Sequence, residues 1–427
     1  MPTSATSSHP PILRMTMPQL VLARVLLLCV LLLLARSACA QINHPTPSEP
    51  LDTFRPYARA NYAYDSNFFR LENAEQARTL LGRSDTAETF YTLAAGLDMD
   101  WRISQQVLKG RFEINQTRFD TYQQLDYTGY SGLLQWNWLM GKYANGDLGV
   151  SETKTQASFT DLQRPTQNLR STRKAYAHSG IKLALPWQLN LGYVRTETDN
   201  SALSQQNRNF DENHYSAGVQ YQTEKNTLLQ FNSQYREGQY PNRQIVGIAP
   251  IDNSYRQYDN GVAAVWSPSV ETQLSGQLNY TQRRYGDVPQ RNFSGFTGRL
   301  ASDWKATEKT SFGLLLYRDI GVVENNTASY SNNRGFSIQA DWHPTVKLSL
   351  QARAVRERQN YAGDPGFVLV STPTRQDQVR SYQFETRYQV LRKTELSLQL
   401  QHGERDSNQA LAGYRFNRAQ ISVRGSF

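Results

Sequence analysis

The sequence predicts an all-β fold, a transmembrane antiparallel β-barrel of about 18 strands, within a range of about 16 to 20. Three observations carry the prediction. The last stretch, Ala419 to Phe427, alternates Ala419, Ile421, Val423 and Phe427 with Gln420, Ser422 and Arg424 and stops on an aromatic. A period of two with one apolar face is a half-exposed strand, and closing it onto the first strand removes the unpaired edge. The chain is also polar on average, with a mean hydropathy of -0.63, yet holds 24 Tyr, 17 Phe and 7 Trp. A barrel reconciles the two, because only alternate side chains meet lipid. Finally, the alternating segments run to about 10 to 16 residues, longer than the strands of the soluble sandwiches and propellers that are the rival architecture.

Residues 1–40 read as a signal peptide: Arg14 and Arg24 precede the apolar run Val25 to Leu34, and Ala38-Cys39-Ala40 offers a small-x-small cleavage site. That run is about half of the roughly 20 residues a spanning helix needs. Arg36 stands where a lipoprotein signal requires an aliphatic residue. Both cysteines, Cys29 and Cys39, fall inside the signal, so disulfides and thiolate chemistry are excluded from the mature chain. Removing Arg14, Arg24 and Arg36 from 46 basic residues leaves 43 against 37 acids, a mild excess spread along the chain. Residues 41–53 carry three prolines and read as an extended periplasmic tail.

From Phe54 to Phe427 the chain repeats strand, long polar loop, strand, short turn. Phe296, Leu300 and Trp304 lead into a turn at Lys305–Lys309, Phe312, Leu314 and Leu316 return, and Phe336, Ile338 and Trp342 descend again. Earlier copies run from Tyr91 to Trp101, from Leu134 to Met140, and out of the turn at Pro186 through Trp187, Leu189 and Leu191. Phe54 to Tyr64 and Asn145 to Ser158 alternate weakly. Trp101, Trp136, Trp138, Trp187, Trp266, Trp304 and Trp342 all lie beside short turns, the arrangement of one aromatic girdle at the periplasmic interface. Ile421, Val423 and Phe427 form the candidate C-terminal insertion signal, with Gly425 where a bulkier residue is usual.

No catalytic, metal or cofactor site is expected. The histidines lack i, i+2 or i, i+4 partners, and no H-E-x-x-H, G-x-S-x-G or Gly-rich phosphate loop occurs. Basic residues recur on the polar alternates: Lys109, Arg111, Lys174, Lys182, Arg236, Arg283, Arg353, Arg387 and Arg424. Facing a lumen they either create a positive field for anionic solutes or pair with acids such as Glu113, Asp303 and Glu385 to brace the wall. Tyr122, Tyr127, Tyr240, Tyr285 and Tyr361, in or beside the long loops, read as sugar-stacking residues or as an upper girdle. No single basic patch suggests nucleic acid.

Several phrases resemble a known family: Tyr64-Asp-Ser-Asn-Phe-Phe-Arg-Leu71, Arg83-Ser-Asp-Thr86, Pro165-Thr-Gln-Asn-Leu-Arg170, Tyr240-Pro-Asn-Arg243 and Phe293-Ser-Gly-Phe-Thr-Gly-Arg-Leu300. Together they are similar to the EpsL-type outer-membrane proteins of exosortase-B-associated exopolysaccharide loci. The resemblance implies a barrel in the biosynthesis or export of an extracellular polysaccharide, with the polymer passing through it. A general or solute-specific porin, or a surface polysaccharide-binding barrel, is the alternative. The partners implied are outer-membrane lipid, the barrel-assembly machinery, a polysaccharide that is anionic if the basic lumen holds it, and periplasmic export proteins.

Overall fold

The computed structural model describes residues 53–427 except 185, 226, 243, 247–248, 287–288, 290–291, 323–329 and 363–373. The expected signal peptide and nearly all of the tail therefore lie outside the described residues.

The strands, in chain order, are β1 (Phe54–Asp65), β2 (Glu88–Ile103), β3 (Gln106–Phe119), β4 (Tyr127–Met140), β5 (Ala144–Gln156), β6 (Leu169–Ala184), β7 (Trp187–Asn200), β8 (Phe210–Gln222) and β9 (Leu228–Gln239). A small hairpin follows, β10 (Gln244–Val246) with β11 (Ala249–Ile251). Then come β12 (Tyr255–Trp266), β13 (Thr272–Tyr285), β14 (Phe293–Lys305), β15 (Thr310–Val322), β16 (Tyr330–Thr345), β17 (Leu348–Ala362), β18 (Gln376–Leu391), β19 (Thr394–Ser407) and β20 (Tyr414–Ser426). All but the small hairpin belong to one 18-stranded antiparallel sheet, in which each strand pairs with its sequence neighbours and β9 pairs with β12. β20 pairs with β1, setting Ile421 opposite Tyr62 and Val423 opposite Ala60, and the Phe427 N–H donates to the Pro56 carbonyl at 3.0 Å. The sheet is thus closed, and no strand offers a bare row of backbone groups to lipid.

The weakly alternating stretches are strands as well: β1 covers Phe54–Asp65 and β5 covers Ala144–Gln156. β17 continues to Ala362 and β18 begins at Gln376, past the apolar alternation of both strands. Polar residues at strand ends look like loop, but in a barrel the wall continues past the apolar band. Short turns join β2 to β3, where Ser104 has φ 56°, and β4 to β5, where Gly141 has φ 53°. Asparagine or glycine commonly takes such a position, so Ser104 sits there at some cost.

Alternation sets the two faces. On β2, Leu93 and Trp101 are exposed on the outside, whereas Glu88, Ala94 and Asp98 are buried on the inside. Six tryptophans, Trp101, Trp136, Trp187, Trp266, Trp304 and Trp342, are 44 to 52% exposed on the outer wall, and Trp138 is half-buried there. All seven lie at the end of the barrel that carries the short turns. Close backbone approach is needed at Gly96, where an added Cβ would come within 2.4 Å of the Tyr57 ring and 2.6 Å of the Phe112 carbonyl. Glycine lets Tyr57 lie flat on the neighbouring strand, an aromatic-over-glycine contact that helps pin register.

Candidate functional site

The nine basic candidates all occupy inward alternates, and their surroundings divide them. Arg111 and Arg424 grip Asp98 from two sides at 2.7 and 2.6 Å, and the Arg424 guanidinium lies 3.8 Å from the centre of the Tyr57 ring. Beside them Glu113 accepts from Arg59 at 2.6 Å and from the Tyr57 hydroxyl at 3.0 Å. Arg387 pairs with Glu385 at 2.5 Å. Arg236 faces Asp259 at 3.8 Å. Arg283 is almost fully buried; it donates to Gln257 at 2.7 Å and lies 4.4 Å over the Tyr255 ring. Arg353 donates to Ser337 at 3.1 Å. Lys109, Lys174 and Lys182 are exposed within the barrel, and none has a carboxylate partner among the described residues. Charge is therefore largely neutralised around Asp98 and Glu113, and less so where the lysines stand. The sequence left field and bracing open; side-chain geometry assigns Arg111, Arg387 and Arg424 to ion pairs.

The lumen is wet. Arg111, Arg299 and Arg387 point inward, yet their side chains are 60, 61 and 54% exposed. Such exposure is incompatible with a packed interior, and a closed sheet of 16 to 18 strands is wide enough to enclose an aqueous channel. Amides line much of the wall: Gln188, Asn190, Gln230, Asn232, Gln234 and Gln277 surround a recess of about 400 Å³.

The mouth opposite the short turns is different on the side of β1 to β6. The β1–β2 loop folds inward around helix α1 (Ala74–Leu81), capped by Asn73, whose side chain accepts from the Gln76 N–H at 2.9 Å, and ended by Gly82 at φ 71°. Asn73 followed three residues later by Gln76 is a legible start signal for a helix, with glycine as its stop, set inside one of the long polar loops of the repeat. Arg70 is held by both Asp65 oxygens at 2.8 Å and stacks 3.6 Å from the Phe416 ring centre. Phe69 and Leu125 are fully buried in a cluster with Leu71, Phe119, Tyr122 and Phe159. Glu88 accepts from the backbone N–H groups of Thr121 and Tyr122 at 3.1 and 3.0 Å, which fixes the β3–β4 loop against the wall. Gln163, one residue past helix α2 (Phe159–Leu162), donates to the Arg70 carbonyl at 2.6 Å, and Gln76 reaches the Leu411 carbonyl at 3.3 Å.

Beneath these loops lies a cavity of about 500 Å³. Arg59, Asp65, Arg70 and Arg418 line one part of it, and Phe68, Phe90, Phe119 and Phe159 another. Cations beside aromatic faces suit a small solute with an acidic group and an apolar or C–H face. The loop tyrosines need correction. Tyr122 and Tyr285 are only 6 and 8% exposed and belong to inward clusters, so neither forms an upper girdle or an open stacking surface. Burial pushes the Tyr122 phenol above its ordinary pKa. Tyr285 ends β13 on an inward alternate, a facing that follows only once the register is known.

A closed sheet with exposed polar side chains on its inner face, an aromatic girdle and a lipid-facing apolar band defines the class: a porin-like β-barrel of the Gram-negative outer membrane. The family described as "Putative beta-barrel porin 2" matches residues 152–427, and the chain belongs to it. Among solved structures it is similar to OccK2 (OpdF) of Pseudomonas aeruginosa, at 11% identity and a TM-score of 0.48, over 88% of this chain and 99% of that one. It is similar also to OpdK of the same organism, crystallised with vanillate, at 12% identity and 0.47, over 88% of this chain and 100% of that one. The siderophore receptor PirA, again from P. aeruginosa, aligns at 8% identity and 0.44, over 89% of this chain and 81% of that one. These likenesses concern the barrel and not its cargo. No curated protein matches the chain.

Proposed function

We propose that the barrel is the outer-membrane conduit for an extracellular polysaccharide. The observation that carries the reading is the wet, amide-lined wall around Gln188, Asn190, Gln230 and Gln277. Neutral donors and acceptors spaced along a lumen match a hydroxyl-rich polymer, holding it at many weak points and releasing it at each, which a moving chain requires. The resemblance to EpsL-type proteins supports the same role. Lys109, Lys174 and Lys182 add a mild preference for polymers bearing carboxylates. Deleting the protein is expected to abolish secreted polysaccharide while cell-associated precursor accumulates; normal secretion from the deletion strain would remove the conduit reading.

A second reading, uptake of a small acidic sugar or aromatic acid, is favoured by the cavity of about 500 Å³ at the mouth, where Arg59 and Arg418 face Phe90 and Phe119. Its signature is conductance blocked by millimolar glucuronate or an aromatic carboxylate, with polymer secretion unchanged on deletion.

A further inference from the structure

On the outer wall, Arg318 of β15 lies directly opposite Arg334 of β16, which lies opposite Arg358 of β17. Two residues nearer the short turns, Arg356 of β17 faces Arg380 of β18. These side chains share the outer face with Leu316, Phe336, Ile338 and Phe384, and Arg334, Arg356 and Arg358 are exposed. Arg318 donates to Asn332 at 3.3 Å, and Arg380 pairs with Glu404 and Asp406 at 3.0 and 3.3 Å. No ion pair joins Arg334, Arg356 or Arg358 to a carboxylate among the described residues. Like charges placed directly opposite in an antiparallel pair repel.

The same height on β6 and β7 is built differently. Arg195 of β7 stands eight positions from Trp187, as Arg334 stands eight from Trp342. Arg195 pairs with Glu197 at 2.7 Å, and Arg173 of β6 pairs with Glu152 at 3.1 Å and approaches Glu197 and Asp199. That patch satisfies itself, whereas Arg318, Arg334, Arg356 and Arg358 have no carboxylate partner among the described residues.

Height identifies the missing partner. Eight strand residues at about 3.3 Å each, tilted by roughly 40°, rise about 20 Å above the girdle, near the top of an apolar band about 25 Å tall. Below the arginines the outward side chains are apolar but for Thr310 and Thr386; above them stand Asn332, Asn360 and Gln378, beside Ile320. A row of guanidinium forks at a membrane boundary matches tetrahedral phosphate bidentately. We propose that Arg318, Arg334 and Arg358, with Arg356 below them, bind the phosphate-bearing headgroup of outer-leaflet lipopolysaccharide. A lipid-binding edge on this side of the wall then orients the barrel among its lipids.

The test compares the full-length mature protein with the triple variant Arg318→Gln/Arg334→Gln/Arg358→Gln and with Arg173→Gln. Each is refolded in nonionic detergent, and its melting midpoint is read by heat-modifiable gel mobility, without additive and with lipopolysaccharide, phosphatidylglycerol or inorganic phosphate. Without additive, the triple variant is expected to melt at or above the wild-type midpoint, because repulsion is relieved. Lipopolysaccharide should raise the wild-type and Arg173→Gln midpoints but not that of the triple variant. Lipopolysaccharide co-purifying from outer membranes should fall at least fivefold in the triple variant alone. Equal protection of the triple variant by lipopolysaccharide, or unchanged co-purification, overturns the proposal. Wild-type protection by phosphatidylglycerol or phosphate as strong as that by lipopolysaccharide overturns it too, the first pointing to the inner leaflet and the second to a general anion site.

Discussion

The inner wall has two regimes. Near the mouth, on β1 to β6, inward positions meet Phe68, Phe69 and Phe159 from the loops and are buried. Closer to the girdle, Arg111 and Arg387 occupy equivalent inward alternates and stand more than half exposed. Both regimes are written with the same period of two, so the difference comes from the loops. Where a loop carries adjacent aromatics and a capped helix it folds inward and dries the wall; where a two-residue turn closes the hairpin, the wall faces water. Polar inward residues thus carry different costs. A carboxylate such as Glu88, 1% exposed, needs its backbone donors, while Lys182 in the open lumen needs none.

The comparison breaks most visibly by removing the loop. Replacing residues 68–84 with a short Gly-Ser link is expected to raise single-channel conductance several-fold at unchanged barrel abundance. Equal conductance would mean the loop does not narrow the mouth. A smaller change in the same place, Phe69→Ala, removes a fully buried ring and should cost the loop cluster about 3–5 kcal/mol. Protease cleavage near Gly82 should then appear while the barrel itself melts as before.

Toward the open wall the expected effects shrink and change kind. Arg111→Ala with Arg424→Ala strips both partners from Asp98, and about 1–3 kcal/mol of barrel stability should be lost, read as a lower melting midpoint. Lys109→Gln with Lys182→Gln should move stability by less than about 0.5 kcal/mol, yet weaken anion preference in bilayers. If the lysine pair lowered the midpoint as much as the arginine pair, the division between bracing and free cations would collapse.

Much of this was legible in the sequence. The closure of β20 on β1 follows from the alternation ending at Phe427, and the tryptophans mark one rim because the turns beside them are short. The inward face of Arg111 or Arg353 follows from parity alone. What parity cannot supply is the partner on another strand: Asp98 meets Arg111 across the β2–β3 hairpin, but Arg424 only through the closure of β20 on β1, 326 positions away. The direction of a loop is also long-range information. The Asn73 and Gln76 cap could have been read, but not that Phe69 would bury itself against Phe159. The outer arginine rows were invisible for the same reason, since Arg318, Arg334 and Arg358 become neighbours only in register.

The central claim is that the lumen is an open aqueous path despite the packed side of its mouth. Purified barrel in a planar lipid bilayer tests it most directly. Stepwise conductance is predicted, with a modest anion preference that falls when Lys109, Lys174 and Lys182 are all changed to Gln. Absence of conductance, both in the wild type and in the variant lacking residues 68–84, would contradict it.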